Sequence, residues 1–337
     1  MHLNRRVKNI LSGMRALVGM VLMVYVVSAG GGWSALKPLI HTAWLFPALV
    51  ALTILGTAIE SKRLGVLLRS QEISLSFRQG CRLVAVATFF NSCIPGGTGG
   101  DVMKLYYLAQ GNRNRVVEVA TVLLADRAAA LFSLLTLAVG FAALSMTLVR
   151  DHSLVKWLVV AALIGAVALV VIGAISCSTR LRTSRWYRSA ISVLPFHRYL
   201  ERASDALGAF RNHKKALLGA VLLSALGHLA LAAMFLALGR VLVPGVPGVA
   251  VALLAFLGLL ANALPVTPGG LGVGEMAFEQ LFQSIGVLGG ASLILAWRAG
   301  MLPLCVIGGV LYIIGIHRIR YVTEPAVGVR RLRASVD

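Results

Sequence analysis

Charged residues are scarce in this sequence, and acidic residues are the scarcest. Only 13% of the 337 residues are charged, with 12 Asp and Glu against 32 Lys and Arg, whereas 58% are hydrophobic. A soluble domain carries about twice that charged fraction, so the composition excludes an ordinary soluble fold. Mean hydropathy is +0.85. These values predict an all-α polytopic membrane protein.

Signatures of metal and nucleophile chemistry are also lacking. The four cysteines lie in or beside apolar segments without paired spacing, so we interpret them as small apolar residues: Cys81, Cys93, Cys177 and Cys305. The sequence has no His-Glu-x-x-His, no Gly-x-Ser-x-Gly and no Gly-Lys-Ser/Thr after a glycine-rich loop. We therefore expect no metal site, no cofactor and no catalytic residue.

Six apolar segments reach the length of about 20 residues that crosses a bilayer: 14–33, 40–59, 116–148, 157–177, 216–239 and 291–316. The first follows Arg5 and Arg6 and could pass for a cleaved signal peptide. We favour a retained span because the repeat described below needs it. We interpret 60–82 as a cytoplasmic loop with some amphipathic helix, 178–215 as a basic cytoplasmic amphipathic segment, and 318–337 as a basic cytoplasmic tail.

The basic residues cluster between the apolar runs, which is the pattern of the positive-inside rule. Of the 32 Lys and Arg, 25 are then cytoplasmic, four are outside (Lys37, Arg150, Lys156, Arg240) and three are at membrane depth (Lys104, Arg127, Arg298). This placement accounts for the net charge of +20 without a nucleic-acid partner. We expect a protein of a bacterial or archaeal inner membrane with both termini in the cytoplasm.

Two glycine-rich motifs interrupt the apolar sequence, at 91–101 and 262–275. Their backbone positions are Pro95, Gly96, Gly97, Gly99 and Gly100 in the first, and Pro268, Gly269, Gly270, Gly272 and Gly274 in the second. Proline and clustered glycine do not form a regular helix interior. Broken backbone at membrane depth persists only where protein or water satisfies its polar groups, and a matched pair of breaks points to a transporter-type binding site.

We interpret each motif as a re-entrant, broken-helix hairpin, one opening from each side of the membrane. The chain 1–337 is then a single transmembrane domain built as an inverted repeat, with halves at about 14–150 and 154–317. Each half holds three spans and one hairpin. This gives six full spans, or eight if the hairpin arms are counted.

Intramembrane charges accompany both motifs. Helix resumes at Asp101 and at Glu275, and the free amides of a helix start attract anions, phosphate above all. Arg127 lies 26 residues after Asp101, and Arg298 lies 23 residues after Glu275. The candidate substrate-binding residues are Asp101, Lys104, Asp126, Arg127, Glu275, Arg298, Asn91 and Asn262.

Simpler roles for these residues stay open. The two acids could only cap their own helices, for which aspartate is a good residue and glutamate a poor one. The charges could only pair internally, Arg127 with Asp101 or Asp126, and Arg298 with Glu275. The two asparagines are expected to bind freed hairpin backbone. His228 stands alone on an apolar span and is expected to be a packed, hydrogen-bonded residue.

Pro95 to Asp101, Asp126-Arg127 and Leu264 to Glu275 give the chain a resemblance over about 14–320. It resembles the lysylphosphatidylglycerol synthase transmembrane region, the flippase-like domain of the multiple peptide resistance factor. The resemblance implies a domain that moves an aminoacylated phospholipid between leaflets, while a separate soluble domain transfers the amino acid from tRNA. Only residues 317–337 follow the last predicted span, so we expect a stand-alone member without the transferase. Its lipid could then be of another kind, including polyprenyl-phosphate or hopanoid types.

The sequence is consistent with three functions. The first is a translocase for an anionic or polyprenyl-phosphate lipid. The second is a membrane-embedded lipid-modifying enzyme that uses Asp101, Asp126 or Glu275 as acid or base. The third is a non-catalytic membrane partner that recruits a cytoplasmic glycosyl- or aminoacyl-transferase through 180–215. We expect the translocase, and no enzyme.

Overall fold

The computed structural model describes residues 42, 44–93, 99–177, 210–263 and 272–315. All regular structure in these residues is helical. The α-helices are α1 Leu45–Ser70, α2 Phe77–Cys93, α3 Gly99–Gly111, α4 Val116–Leu144, α5 Met146–Asp151, α6 Ser153–Cys177, α7 Lys214–Leu242, α8 Gly248–Asn262, α9 Val273–Gln283 and α10 Gly290–Ile314. A 3₁₀ turn, Arg113–Arg115, joins α3 to α4.

Five of the described helices are long and apolar enough to cross a membrane, namely α1, α4, α6, α7 and α10. They correspond to the last five predicted spans, so the prediction of a multi-pass, all-α membrane protein is confirmed to that extent. The first predicted span, 14–33, lies outside the described residues. So do most of the basic segment 178–215 and the whole tail 318–337.

The predicted loop at 60–82 is wrong over its first part, because α1 continues without a break to Ser70. Its charged residues do not end the helix, since Arg63 is buried and bonded inside the protein while Lys62 stays exposed. The helix ends at Ser70, and two residues later Glu72 has a φ of 56°, a left-handed conformation that cannot continue a right-handed helix.

The described helices form two large apolar cores that share α1, α4 and α7, and a small third cluster joins α4 to α6 through Leu135, Ala162 and Ala166. One core joins the second half of α1 to α2, α3 and the start of α4. The other joins the start of α1 and the end of α4 to α7, α8, α9 and α10. In the centre α1 packs along α7, while α2 lies against α10 and α8 lies against α4. The α2–α3 pair packs against α1 and the α8–α9 pair packs against α7.

Glu279 holds the start of α10 from outside that helix, and it lies outside the five candidate spans. Its carboxylate accepts hydrogen bonds from the backbone N–H of Ala291, at 2.9 Å, and of Gly289, at 3.3 Å. These donors, Ala291 foremost, hold the pKa of Glu279 below its usual value of about 4.3. The carboxylate thus fills the place of a helix cap.

We expect Glu279→Gln to lower the melting temperature of the detergent-purified protein at pH 7. A lost cap costs about 1 kcal/mol. Because the folded-state pKa is lowered, the contribution is present above the unfolded pKa and is lost as pH falls through the folded one. The difference in melting temperature between wild type and variant should therefore narrow below about pH 4. A difference that stays constant down to pH 3 would contradict the capping role. Glu72→Gln, at an exposed glutamate, is the control.

Candidate functional site

Asn91 closes the first hairpin. Its side-chain Oδ1 accepts a hydrogen bond of 2.8 Å from the backbone N–H of Gly100, which lies in the first turn of α3. A Cβ atom at Gly100 would lie 2.4 Å from the carbonyl oxygen of Ala87, so only glycine permits this approach of α3 to α2. The prediction that Asn91 binds hairpin backbone is confirmed.

The second hairpin brings the corresponding residues together in a related way. Gly274 lies against Asn262, and a Cβ atom there would be 2.4 Å from Asn262 Oδ1. Asn262 Oδ1 accepts a bond of 2.9 Å from the guanidinium of Arg298. Asn262, at the end of α8, thus contacts α9 at Gly274 and α10 at Arg298, and its hydrogen bond is to a side chain and not to backbone.

Each hairpin carries an acid–arginine pair immediately after its buried glycine. Asp101 is bound by Arg127, and Glu275 is bound by Arg298. Glu275 also accepts a bond of 2.7 Å from the backbone N–H of Gly272, whose φ is +82°. Glu275 therefore caps its own helix and pairs with arginine at the same time. Of the two partners open to Arg127 from the sequence, the structure selects Asp101.

The two pairs differ in exposure. The Arg127 side chain is 51% exposed and that of Arg298 only 14%. The first pair is thus the more accessible of the two.

Two further ion pairs lie beside the Asp101–Arg127 pair, namely Arg63–Asp126 and Lys104–Glu60, and together they are called the charge layer. Arg63 of α1 binds Asp126 of α4 with two parallel hydrogen bonds, at 2.6 and 2.9 Å, and both side chains are buried. The Arg63 guanidinium also donates to Ser224 of α7 at 3.1 Å, and Ser224 donates to the Ala220 carbonyl at 2.8 Å. The bidentate Arg63–Asp126 contact is strong and directional, and with the bond to Ser224 it links α1 to both α4 and α7.

Lys104 completes this layer. Its ammonium donates to the Glu60 carboxylate. The Lys104 side chain is only 4% exposed, whereas that of Glu60 is 34% exposed. Glu60 and Arg63 are three residues apart in α1, so they lie on the same face of that helix.

The second half of the chain has aromatic residues at the sequence positions that correspond to Lys104 and Asp126. Lys104 lies three residues after Asp101, and Phe278 lies three residues after Glu275. Asp126 precedes Arg127 as Trp297 precedes Arg298. Phe278 and Trp297 both pack on Phe235, with ring centroids 5.6 and 6.1 Å apart. The acid–arginine pair is common to both halves, but the charges behind it occur in the first half alone among the described residues.

His228 is a packed residue, as predicted. Its Nδ1 lies 2.9 Å from the Ser133 hydroxyl, and its ring lies 6.1 Å from that of Phe256. Within the described ranges no three His, Cys, Asp or Glu side chains are grouped closely enough to hold a metal ion. Six predicted hairpin positions lie outside the described residues: Pro95, Gly96, Gly97, Pro268, Gly269 and Gly270.

Sequence reasoning missed Glu60, Arg63 and Ser224. A usable signal was present, because no proline occurs between Pro47 and Pro95 and nothing else forces the helix of span 40–59 to stop at 59. Extending that helix past residue 59 would have placed Glu60 and Arg63 in its next turn, within the helix and not in a loop.

Two comparisons with known proteins give no match, one with curated proteins and one with solved structures. The family model for the lysylphosphatidylglycerol synthase TM region matches residues 13–309. That range contains both hairpins and every residue of the four ion pairs described above, on α1, α3, α4, α9 and α10. The chain therefore belongs to the lysylphosphatidylglycerol synthase TM region family.

Proposed function

We propose that this protein is a lipid translocase, which moves a phosphate-bearing or otherwise anionic lipid between the leaflets of an inner membrane. The observation that carries the proposal is the repeated unit of buried glycine, acid and arginine at a helix start: Gly100-Asp101 with Arg127, and Gly274-Glu275 with Arg298. A helix start combined with an arginine is a binding site for an anionic head group.

The neighbour relations of the helices support an inverted repeat for this translocase. Exchanging α1 with α7, α2 with α8, α3 with α9 and α4 with α10 leaves the pattern of contacts among these eight helices unchanged. The α2–α10 contact becomes α8–α4, and the α1–α10 contact becomes α7–α4. In inverted-repeat transporters the substrate site lies where the two repeats meet, near the middle of the bilayer.

The energetic cost of the charges supports a function in binding. An ionised side chain at mid-bilayer costs about 2.5 kcal/mol even on lenient insertion scales. The described residues of the hairpin region hold three arginines, one lysine and four carboxylates: Arg63, Arg127, Arg298, Lys104, Glu60, Asp101, Asp126 and Glu275. Paired charges of this kind usually mark a substrate path.

We expect Arg127→Ala and Arg298→Ala each to slow lipid translocation by about tenfold or more, the effect of about 1.4 kcal/mol. Each change removes a head-group cation from one half of the site. The measurement uses proteoliposomes that contain fluorescent phosphatidylglycerol or phosphatidic acid, with bleaching of the outer leaflet. A fluorescent phosphatidylcholine reports on selectivity for anionic lipids.

The matched controls are Arg115→Ala and Arg150→Ala, at exposed arginines away from both pairs. They should translocate lipid at the wild-type rate. Wild-type rates in both Arg127→Ala and Arg298→Ala would remove the proposed site. Mass spectrometry of the recovered lipid separates translocation from catalysis, because we propose that the lipid leaves chemically unchanged.

A further inference from the structure

The first half holds three charge pairs that share one region. The cations are Arg63, Lys104 and Arg127, and their partners are Asp126, Glu60 and Asp101. Glu60 lies within electrostatic range of all three cations, not of Lys104 alone. A carboxylate among one lysine and two arginines occupies the kind of environment that a bound phosphate needs.

The three carboxylates are held unequally. Asp126 receives two hydrogen bonds from Arg63, and its side chain is 5% exposed. The side chain of Asp101 is 25% exposed and that of Glu60 is 34% exposed. Glu60 is therefore the most exposed of the three carboxylates. Its partner Lys104 is buried and would be costly to leave without a negative charge.

We propose that Glu60 occupies, at rest, the position of the substrate's anionic group, and that a phosphate group exchanges with it on Lys104. The inference rests on the proposed function and deepens it, since it names the cation that receives the head group. The exchange replaces one anion by another, so Lys104 is never left unpaired, and the freed Glu60 carboxylate moves to its exposed side. The second half has Phe278 at the position of Lys104, so the exchange belongs to the first half.

The test is Glu60→Gln in nanodiscs of phosphatidylcholine. Glutamine keeps the size of the side chain but removes the competing charge. We expect the variant to bind dihexanoyl phosphatidic acid about tenfold more tightly than the wild type, because an anion no longer has to displace a carboxylate. Translocation by the same variant should be slower, because the group that releases the lipid is gone. Inorganic phosphate and dihexanoyl phosphatidylcholine are titrated alongside.

The two phosphate probes distinguish a lipid head group from free phosphate as the bound anion. Tighter binding of phosphatidic acid alone identifies a lipid head group, whereas equal tightening for inorganic phosphate identifies free phosphate as a ligand of the same site. The control Glu72→Gln removes an exposed carboxylate that pairs with Arg115, and its affinities should equal those of the wild type. The double variant Glu60→Gln/Lys104→Gln leaves no unpaired charge, so it should fold and lose the tightened binding.

Two results would overturn the exchange. One is an affinity of Glu60→Gln for both phosphate probes that equals or falls below that of the wild type, in protein that keeps the helical circular-dichroism spectrum of the wild type. The other is tight binding that survives in the double variant. Failure of the proposed translocase function gives a different result from failure of the exchange. In that case wild-type protein moves no lipid in proteoliposomes, while Glu60→Gln still binds phosphate more tightly.

Discussion

Replacing Arg63 by alanine should lower the free energy of unfolding by about 3–5 kcal/mol, the cost of removing one partner from a buried ion pair. The change leaves the Asp126 carboxylate without the two hydrogen bonds of 2.6 and 2.9 Å that now neutralise it. Asp126 is 4% exposed, so water cannot replace the guanidinium without opening the contact between α1 and α4. Ser224 of α7 loses a donor in the same step. The measurement is reversible unfolding in mixed micelles titrated with SDS.

The pair as a whole should contribute much less than the single variant suggests. A buried ion pair often exchanges for apolar side chains at little cost, because the desolvation of two charges is avoided. Arg63→Met/Asp126→Leu should therefore unfold within about 1.5 kcal/mol of the wild type. Arg115→Ala, at an exposed pair, should change the free energy by less than about 1 kcal/mol. A loss for Arg63→Ala no larger than that control would contradict the stabilising role assigned to the Arg63–Asp126 pair.

The coarse architecture was predictable because hydropathy is a local property. The five described spans each carry their own apolar signal, and the match of residues 13–309 to the family agrees with the resemblance read from the two motifs. The role of Asn91 was predictable for the same reason, since Gly100 is only nine residues away. A contact between residues that are close in sequence can be predicted from their spacing.

The charge layer behind the first pair was not predictable in this way. Asp126 is next to Arg127 in sequence but bonds Arg63, which is 63 residues away. Neighbouring residues on a helix point about 100° apart, so Asp126 and Arg127 face different surroundings. Positive-inside counting then assigned Arg63 to the cytoplasm, because a rule about loops cannot recognise a cation whose partner is on a distant helix.

This difference between the halves bears on how the proposed site works. A repeat with equal charges in both halves would hold an anion equally at either hairpin. Here the acid–arginine pair recurs, but charges stand behind it in one half and the rings of Phe235, Phe278 and Trp297 in the other. Under the proposed exchange the first hairpin offers an anionic group two further cations, Arg63 and Lys104, whereas aromatic rings pack beside the second.

Gly308→Ala should lower the free energy of unfolding by about 1–3 kcal/mol, as overpacking does. A Cβ atom at Gly308 would lie 2.1 Å from the carbonyl oxygen of Ala85 and 2.7 Å from its carbonyl carbon. The clash is with backbone, so no change of rotamer relieves it, and α10 must move away from α2. Small residues serve this purpose wherever membrane helices approach closely.

Gly140→Ala is the matched control for that prediction. It makes the same substitution within α4, where a Cβ atom would meet nothing within 4 Å. Because alanine forms helix more readily than glycine, this variant should be stabilised by about 0.5–1 kcal/mol. The two variants should thus shift the unfolding midpoint in opposite directions. Since α2 also carries Asn91, displacing it from α10 should disturb the first hairpin, and Gly308→Ala should translocate lipid more slowly than Gly140→Ala. Equal stability and equal rates in the two variants would contradict a close α2–α10 contact.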